Sequence, residues 1–133
     1  MIPVKVTKIS YHSESKSYAV ILKEITGDKC LPVIVGSFEA QSIALAIETV
    51  DTPRPLTHDL FKIALDQLEA ELTKVVVTEI SDKTFFAELH LATKNGDLQI
   101  SSRPSDAIAL AMRMQSPIYV EEDVLDKAGY ILK

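Results

Sequence analysis

Eleven consecutive residues predict the most buried helix of this chain: Arg103-Pro104-Ser105-Asp106-Ala107-Ile108-Ala109-Leu110-Ala111-Met112-Arg113. A proline fits the first helical turn, and the carboxylate of Asp106 complements the unpaired backbone N–H groups found there. Every residue from Ala107 to Met112 is apolar, which is typical of a helix that is buried on nearly all sides. We therefore predict a core helix that is entered from a strand ending at Ser102.

A related stretch occurs 65 positions earlier, Phe38-Glu39-Ala40-Gln41-Ser42-Ile43-Ala44-Leu45-Ala46-Ile47. With this offset, residues 43–46 and 108–111 are identical, and Val33 and Val35 align with the apolar Leu98 and Ile100. The order of the surrounding elements repeats as well. The sequence therefore predicts an internal duplication of a β-β-β-α-α unit, with halves at about residues 1–72 and 73–133.

Apolar alternation and turn residues predict the remaining elements. The dipeptide Asn95-Gly96 indicates a tight hairpin, and the prolines at 53 and 55 exclude a continuous helix from 37 to 72. An apolar stripe is predicted on the helix that Thr57 begins as N-cap, formed by Phe61, Leu65, Leu68 and Leu72. Strands are expected at 2–9, 18–25, 30–35, 75–80, 84–92 and 98–102, with a short extended piece at 118–120. Helices are expected at 37–50, from 57, from 104 and from 121 to a cap at 129. This pattern predicts a single α+β domain.

The composition is typical of a soluble globular domain, with 133 residues of which 47% are hydrophobic and 25% charged. No apolar run approaches the roughly 20 residues that a membrane helix requires. The N-terminus lacks the features of a signal peptide, so we expect a cytoplasmic protein without a membrane partner. The single cysteine, Cys30, excludes an internal disulfide and is expected to be a small buried side chain.

The charge of the chain argues against strong, generic nucleic-acid binding. It has 14 Lys and Arg residues against 19 Asp and Glu residues, for a net charge of −5. Such binding depends mainly on basic side chains that neutralise phosphates, and no basic run occurs here. Any contact with nucleic acid must therefore be local. We also expect the protein to form a homo-oligomer.

Four motifs resemble those of the bifunctional nuclease domain family: Leu31-Pro32-Val33-Ile34-Val35-Gly36, Glu39-Ala40, Pro53-Arg54-Pro55-Leu56-Thr57-His58-Asp59-Leu60, and the stretch from Arg103 to Ala111. The resemblance covers nearly the whole chain. It implies a fold built from a duplicated unit of three strands and two helices. It also implies hydrolysis of phosphodiester bonds in both DNA and RNA. The candidate site residues come instead from the chemistry of the side chains.

The helix that follows the two prolines begins with a cluster of polar side chains. A helix N-terminus beside an arginine is suited to a phosphate, so Arg54 and Thr57 are candidate substrate-binding residues. His58 is a candidate proton-transfer residue, and Asp59 would orient groups beside it. A purely structural interpretation is also open, in which Thr57 caps the helix, Asp59 complements its dipole and Arg54 pairs with a carboxylate.

The buried helix begins with a similar cluster. Arg103 and Ser105 are candidate phosphate-binding residues and Asp106 is a candidate catalytic residue. A structural interpretation is open here too, in which Asp106 caps the helix and Arg103 forms an ion pair within the fold. If the helix starts converge, Glu39, Asp59 and Asp106 are predicted to hold Mg²⁺ through carboxylates and waters. The sequence thus favours a nuclease. The alternative is a non-catalytic, oligomeric module that binds a ligand or a partner protein.

Overall fold

The structure is a computed structural model, and it describes residues 1–49 and 52–131. Four helices lie in this part of the chain: α1 (Ser37–Ile47), α2 (Thr57–Gln67), α3 (Pro104–Met114) and α4 (Glu122–Ala128). The strands are β1 (Ile2–His12), β2 (Ser17–Glu24), β3 (Lys29–Val35), β4 (Glu71–Ser81), β5 (Thr84–Thr93), β6 (Gly96–Ser102), β7 (Ile118–Val120) and β8 (Tyr130–Ile131). The predicted α+β class is confirmed.

All eight strands form one mixed sheet in the order β6-β5-β4-β7-β1-β2-β3-β8. β7 has only three residues, yet it joins the two antiparallel three-stranded groups. It pairs in parallel with β4, placing Ile118 opposite Val75, and antiparallel to β1, placing Val120 opposite Ile2. The sequence predicted this piece as extended but gave no indication of its central place.

The burial of both faces of β2 explains why the central residues of this strand, 18–22, are all apolar. Val20 and Leu22 contribute to the main core, whereas Ala19 and Ile21 form a second buried cluster with Cys30. Successive side chains of a strand point to opposite faces, so β2 is buried on both faces of the sheet. The expected burial of Cys30 is confirmed.

The predicted core helix is confirmed in α3. Its residues from Ala107 to Ala111 are all buried, and the helix packs against β4 and β5. α1 and α2 pack on α3 from outside, and the small alanine side chains permit this close approach. In the part of the chain that the structure describes, no helix has the length and apolar character needed to cross a membrane.

Several predicted boundaries are wrong by a few residues. Leu56, not Thr57, is the N-cap of α2, and its backbone N–H donates to the Asp59 carboxylate over 3.0 Å. α1 ends at Ile47, and its predicted end at Val50 lies outside the described residues. The predicted border between halves, at 72 and 73, falls within β4. Each half begins with three antiparallel strands followed by a helix, but its origin by duplication stays a prediction.

Candidate active-site cleft

The first turns of α1, α2 and α3 surround an open cleft with a volume of about 390 Å³. Helix starts carry a partial positive charge, which favours negatively charged groups nearby. Three helix starts meet here, and polar and charged side chains lie around one space. Five of the sequence-predicted site residues line it: Glu39, Thr57, His58, Arg103 and Asp106. The other lining residues are Phe38, Gln41, Ser42, Leu45 and Leu56.

A chain of hydrogen bonds crosses the cleft through His58. The Ser42 hydroxyl lies 2.7 Å from His58 Nδ1, and His58 Nε2 lies 2.9 Å from Asp106 Oδ1. An ionised carboxylate only accepts hydrogen bonds, so Nε2 carries the hydrogen in this contact. In a neutral imidazole, Nδ1 then has a free electron pair, which accepts the hydrogen of the Ser42 hydroxyl. Each of the three residues comes from a different helix.

Arg103 holds two carboxylates at the mouth of the cleft. Its Nε and Nη2 donate to the Asp106 carboxylate over 2.9 and 3.2 Å, and its Nη1 donates to Glu39 Oε1 over 3.2 Å. These contacts use three of the five N–H donors of a guanidinium group. The side chain of Arg103 is 66% exposed, so its remaining donors are accessible from the cleft.

The same contacts keep the Asp106 carboxylate ionised. Partial burial raises the pKa of Asp106, but hydrogen bonds from Arg103 and His58 together outweigh it and hold this pKa below the ordinary value of 3.8. The hydrogen bond to Asp106 and its charge raise the pKa of Arg103 in turn. Asp106 is therefore a fixed acceptor for His58 at neutral pH.

Asp59 lies outside this cleft, in a separate ion pair. Arg113 Nε donates to Asp59 Oδ1 over 2.7 Å, and the same guanidinium donates to the backbone carbonyls of Ala109 and Ser42. Burial raises the pKa of Asp59, but the hydrogen bonds from Arg113 and from the Leu56 N–H lower it by more, so its net value is depressed. The geometry gives Asp59 a structural role in joining the helices.

The arrangement does not fit the magnesium site predicted from Glu39, Asp59 and Asp106. Glu39 and Asp106 both contact Arg103, whereas Asp59 contacts Arg113. Within residues 1–49 and 52–131, no group of three or more His, Cys, Asp or Glu side chains is placed to hold a metal ion.

The remaining predicted residues are divided between the cleft and its surroundings. Thr57 lines the cleft, whereas Ser105 is buried and lines a neighbouring cavity, and Arg54 lies in the exposed link before α2. Sequence reasoning missed Ser42. Its spacing of three residues from Glu39 places both on one face of a helix, and this signal was present in the sequence.

Comparison with known proteins supports the family resemblance that the sequence motifs indicate. The sequence profile of the bifunctional nuclease domain matches residues 20–133. An uncharacterized protein of Mycobacterium tuberculosis is 38% identical over 129 residues, which cover 97% of this chain and 77% of that protein.

Relatives also occur in plants. "Bifunctional nuclease 2" of Arabidopsis thaliana is 34% identical over 78% of this chain and 33% of its own length. "Bifunctional nuclease 1" of Oryza sativa subsp. indica is 27% identical over 84% of this chain and 35% of its own length. The match thus spans about a third of each of these plant proteins. The profile match, which covers most of the chain, shows that this chain belongs to the bifunctional nuclease domain family.

Proposed function

We propose that this protein hydrolyses phosphodiester bonds in DNA and RNA, and that the cleft between α1, α2 and α3 is its active site. Family membership and the names of the plant relatives support this reaction class. One observation carries the assignment to the cleft. His58 lies between the Ser42 hydroxyl and an ionised Asp106, and Arg103 contacts the same carboxylate.

His58 is the proton-transfer group in this proposal. Asp106 holds the hydrogen on Nε2, which leaves Nδ1 as the nitrogen that accepts a proton. A water attacks the phosphorus and gives its proton to the Ser42 hydroxyl. This hydroxyl in turn passes its own proton to Nδ1. The bond from phosphorus to the leaving oxygen breaks, and the imidazolium returns a proton to that oxygen. Positioned acid–base groups of this kind typically accelerate reactions about 10²- to 10⁴-fold.

Arg103 binds the phosphate in this proposal. Its two remaining N–H donors are available to a phosphate oxygen, and they stabilise the negative charge that grows in the transition state. Glu39 and Asp106 fix the plane of the guanidinium from the other side. The hydroxyl of Thr57, in the first turn of α2, offers one further donor to the substrate.

A second candidate function is binding without turnover. Each charged side chain lining the described part of the cleft already contacts another side chain, and two carboxylates face one arginine. Side-chain contacts of this kind would also join the three helices in a protein that has no catalytic activity. The two functions differ in one respect, since only the nuclease depends on the basicity of His58.

Cleavage of labelled single-stranded DNA and RNA by wild type, His58→Ala and His12→Ala distinguishes these functions. His12 is exposed at the end of β1, so its removal controls for the loss of a histidine. We expect cleavage by wild type and His12→Ala, and a rate about 10²- to 10⁴-fold lower for His58→Ala. Equal rates for all three proteins, or no cleavage by highly purified wild type, would contradict the proposed function.

A further inference from the structure

Phe38 is the most exposed large apolar side chain in the described part of the protein, with 84% of its surface accessible. It lies in the first turn of α1 and lines the cleft that contains His58 and Arg103. Isolated apolar side chains on a surface need no explanation, but an aromatic ring beside a charged, concave site is the arrangement that binds nucleobases.

The position of Phe38 relative to Arg103 is set by the backbone. Phe38 directly precedes Glu39, whose carboxylate contacts Arg103 over 3.2 Å. An apolar ring and a phosphate-binding guanidinium therefore border the same space. A nucleotide presents the same two features, a flat base and a charged phosphate, joined by one sugar. The cleft volume of about 390 Å³ lies at the small end of the range for small-ligand sites, about 300–1,000 Å³.

We propose that Phe38 stacks on an unpaired base of the substrate while Arg103 holds the neighbouring phosphate, so that the cleft selects single-stranded nucleic acid. This inference rests on the proposed function, because it places the phosphodiester at Arg103. Bases inside a duplex have both faces covered by their neighbours, so only a splayed base offers a free face to Phe38.

The charge of the protein makes this stacking more important. With a net charge of −5 and Arg103 as the one Lys or Arg side chain among the described cleft residues, attraction to phosphates is small. Base stacking needs no net charge and tolerates every base, so it would serve the proposed activity on both DNA and RNA. Phe38 then supplies the affinity that basic side chains supply in other single-strand binders.

The test is a fluorescence titration of short oligonucleotides that carry 2-aminopurine, performed with His58→Ala so that cleavage does not interfere. Wild-type Phe38 is compared in this background with Phe38→Ala, Phe38→Leu and Phe38→Trp. We expect Ala and Leu to weaken single-strand binding about 5- to 150-fold and Trp to preserve it. A duplex of the same sequence should bind weakly to all four. Phe86→Ala, which removes an exposed ring on β5, should change nothing.

Each other result has a definite meaning. Equal affinities for Phe38 and Phe38→Ala, full retention by Leu, or equal binding of duplex and single strand would overturn the role of Phe38. A change in mass by light scattering for Phe38→Ala, with unchanged binding, would assign the ring to an interface between copies of this chain. Phe38-dependent binding by a protein whose wild type cleaves nothing would refute the nuclease and leave the stacking site intact.

Discussion

A neutral imidazole accepts a proton only at the nitrogen that carries none, and the contacts of His58 decide which nitrogen that is. Asp106 fixes the hydrogen on Nε2, so Nδ1 faces the Ser42 hydroxyl as an acceptor. The side chain of His58 is only 13% exposed, and solvent therefore reaches it mainly from the cleft. The proposed chemistry of the site thus depends on three residues that come from three different helices.

Ser42→Ala should reduce cleavage much less than His58→Ala does. Removing the hydroxyl leaves room for a water, which takes its place beside Nδ1 and carries the proton instead. We expect a loss of about tenfold or less, against about 10²- to 10⁴-fold for His58→Ala. Steady-state rates on one oligonucleotide measure both. A loss for Ser42→Ala as large as that for His58→Ala would instead make Ser42 the group that attacks phosphorus.

At the scale of the elements, α2 is held mainly by polar contacts. The predicted stripe of Phe61, Leu65, Leu68 and Leu72 is wrong, because Phe61 is exposed and only Leu65 is a buried residue of α2. Leu68 is largely exposed just after the helix, and Leu72 belongs to β4. The pair between Asp59 and Arg113 joins α2 to α3, and the same arginine reaches the backbone of α1. This one buried guanidinium thus contacts all three helices that surround the cleft.

Arg113→Ala should therefore destabilise the fold. The Arg113 side chain is only 7% exposed, and its loss removes the ion pair with Asp59 and the hydrogen bonds to two backbone carbonyls. Breaking a fully buried pair costs about 3–5 kcal/mol, but Asp59 retains contact with solvent, so we expect about 2–3 kcal/mol. Urea unfolding measures this free energy. Lys94→Ala, which removes an exposed pair with Glu69, should cost less than about 1 kcal/mol; equal effects would contradict this account.

The stability of the helix layer should fall in acid. The pKa values of Asp59 and Asp106 are lower in the folded protein than their ordinary value of 3.8. Their contribution is therefore complete above about pH 5 and is lost as the pH falls through the folded values, because the unfolded chain binds more protons in this range. We expect the free energy of unfolding to decrease between about pH 5 and pH 2. Asp59→Asn should flatten this decrease, and an unchanged slope would refute the pairing.

At the scale of the whole molecule, the acidic charge predicts a weak salt dependence of binding. Each phosphate neutralised on a single strand contributes a slope of about −0.7 to a plot of log affinity against log salt. With Arg103 as the one Lys or Arg among the described residues of the cleft, we expect a slope near this value. Oligonucleotide titrations at several salt concentrations measure it. A slope of about −3 or steeper would place the substrate on other basic side chains.

Local patterns made much of this fold predictable, whereas contacts between distant segments were not. The apolar run at Ala107–Met112 identified the core helix, because a helix that is buried on all sides needs apolar residues at every position. The central position of β7 in the sheet could not be predicted, since three apolar residues do not specify a partner strand. The pairing of Asp59 with Arg113, and the position of Ser42 beside His58, arise only when α1, α2 and α3 pack together. The homo-oligomer and the cytoplasmic location stay predictions.

A double-mutant cycle on His58 and Asp106 tests the central claim most directly, that the two residues form one catalytic unit. Single-turnover cleavage rates are measured for wild type, His58→Ala, Asp106→Asn and the double variant, with folding verified by urea unfolding. Because Asp106 acts through the imidazole as well as through the arginine that it orients, the double variant should lose clearly less activity than the product of the two single losses. Independent losses that multiply, or folded variants that cleave like wild type, would contradict the claim.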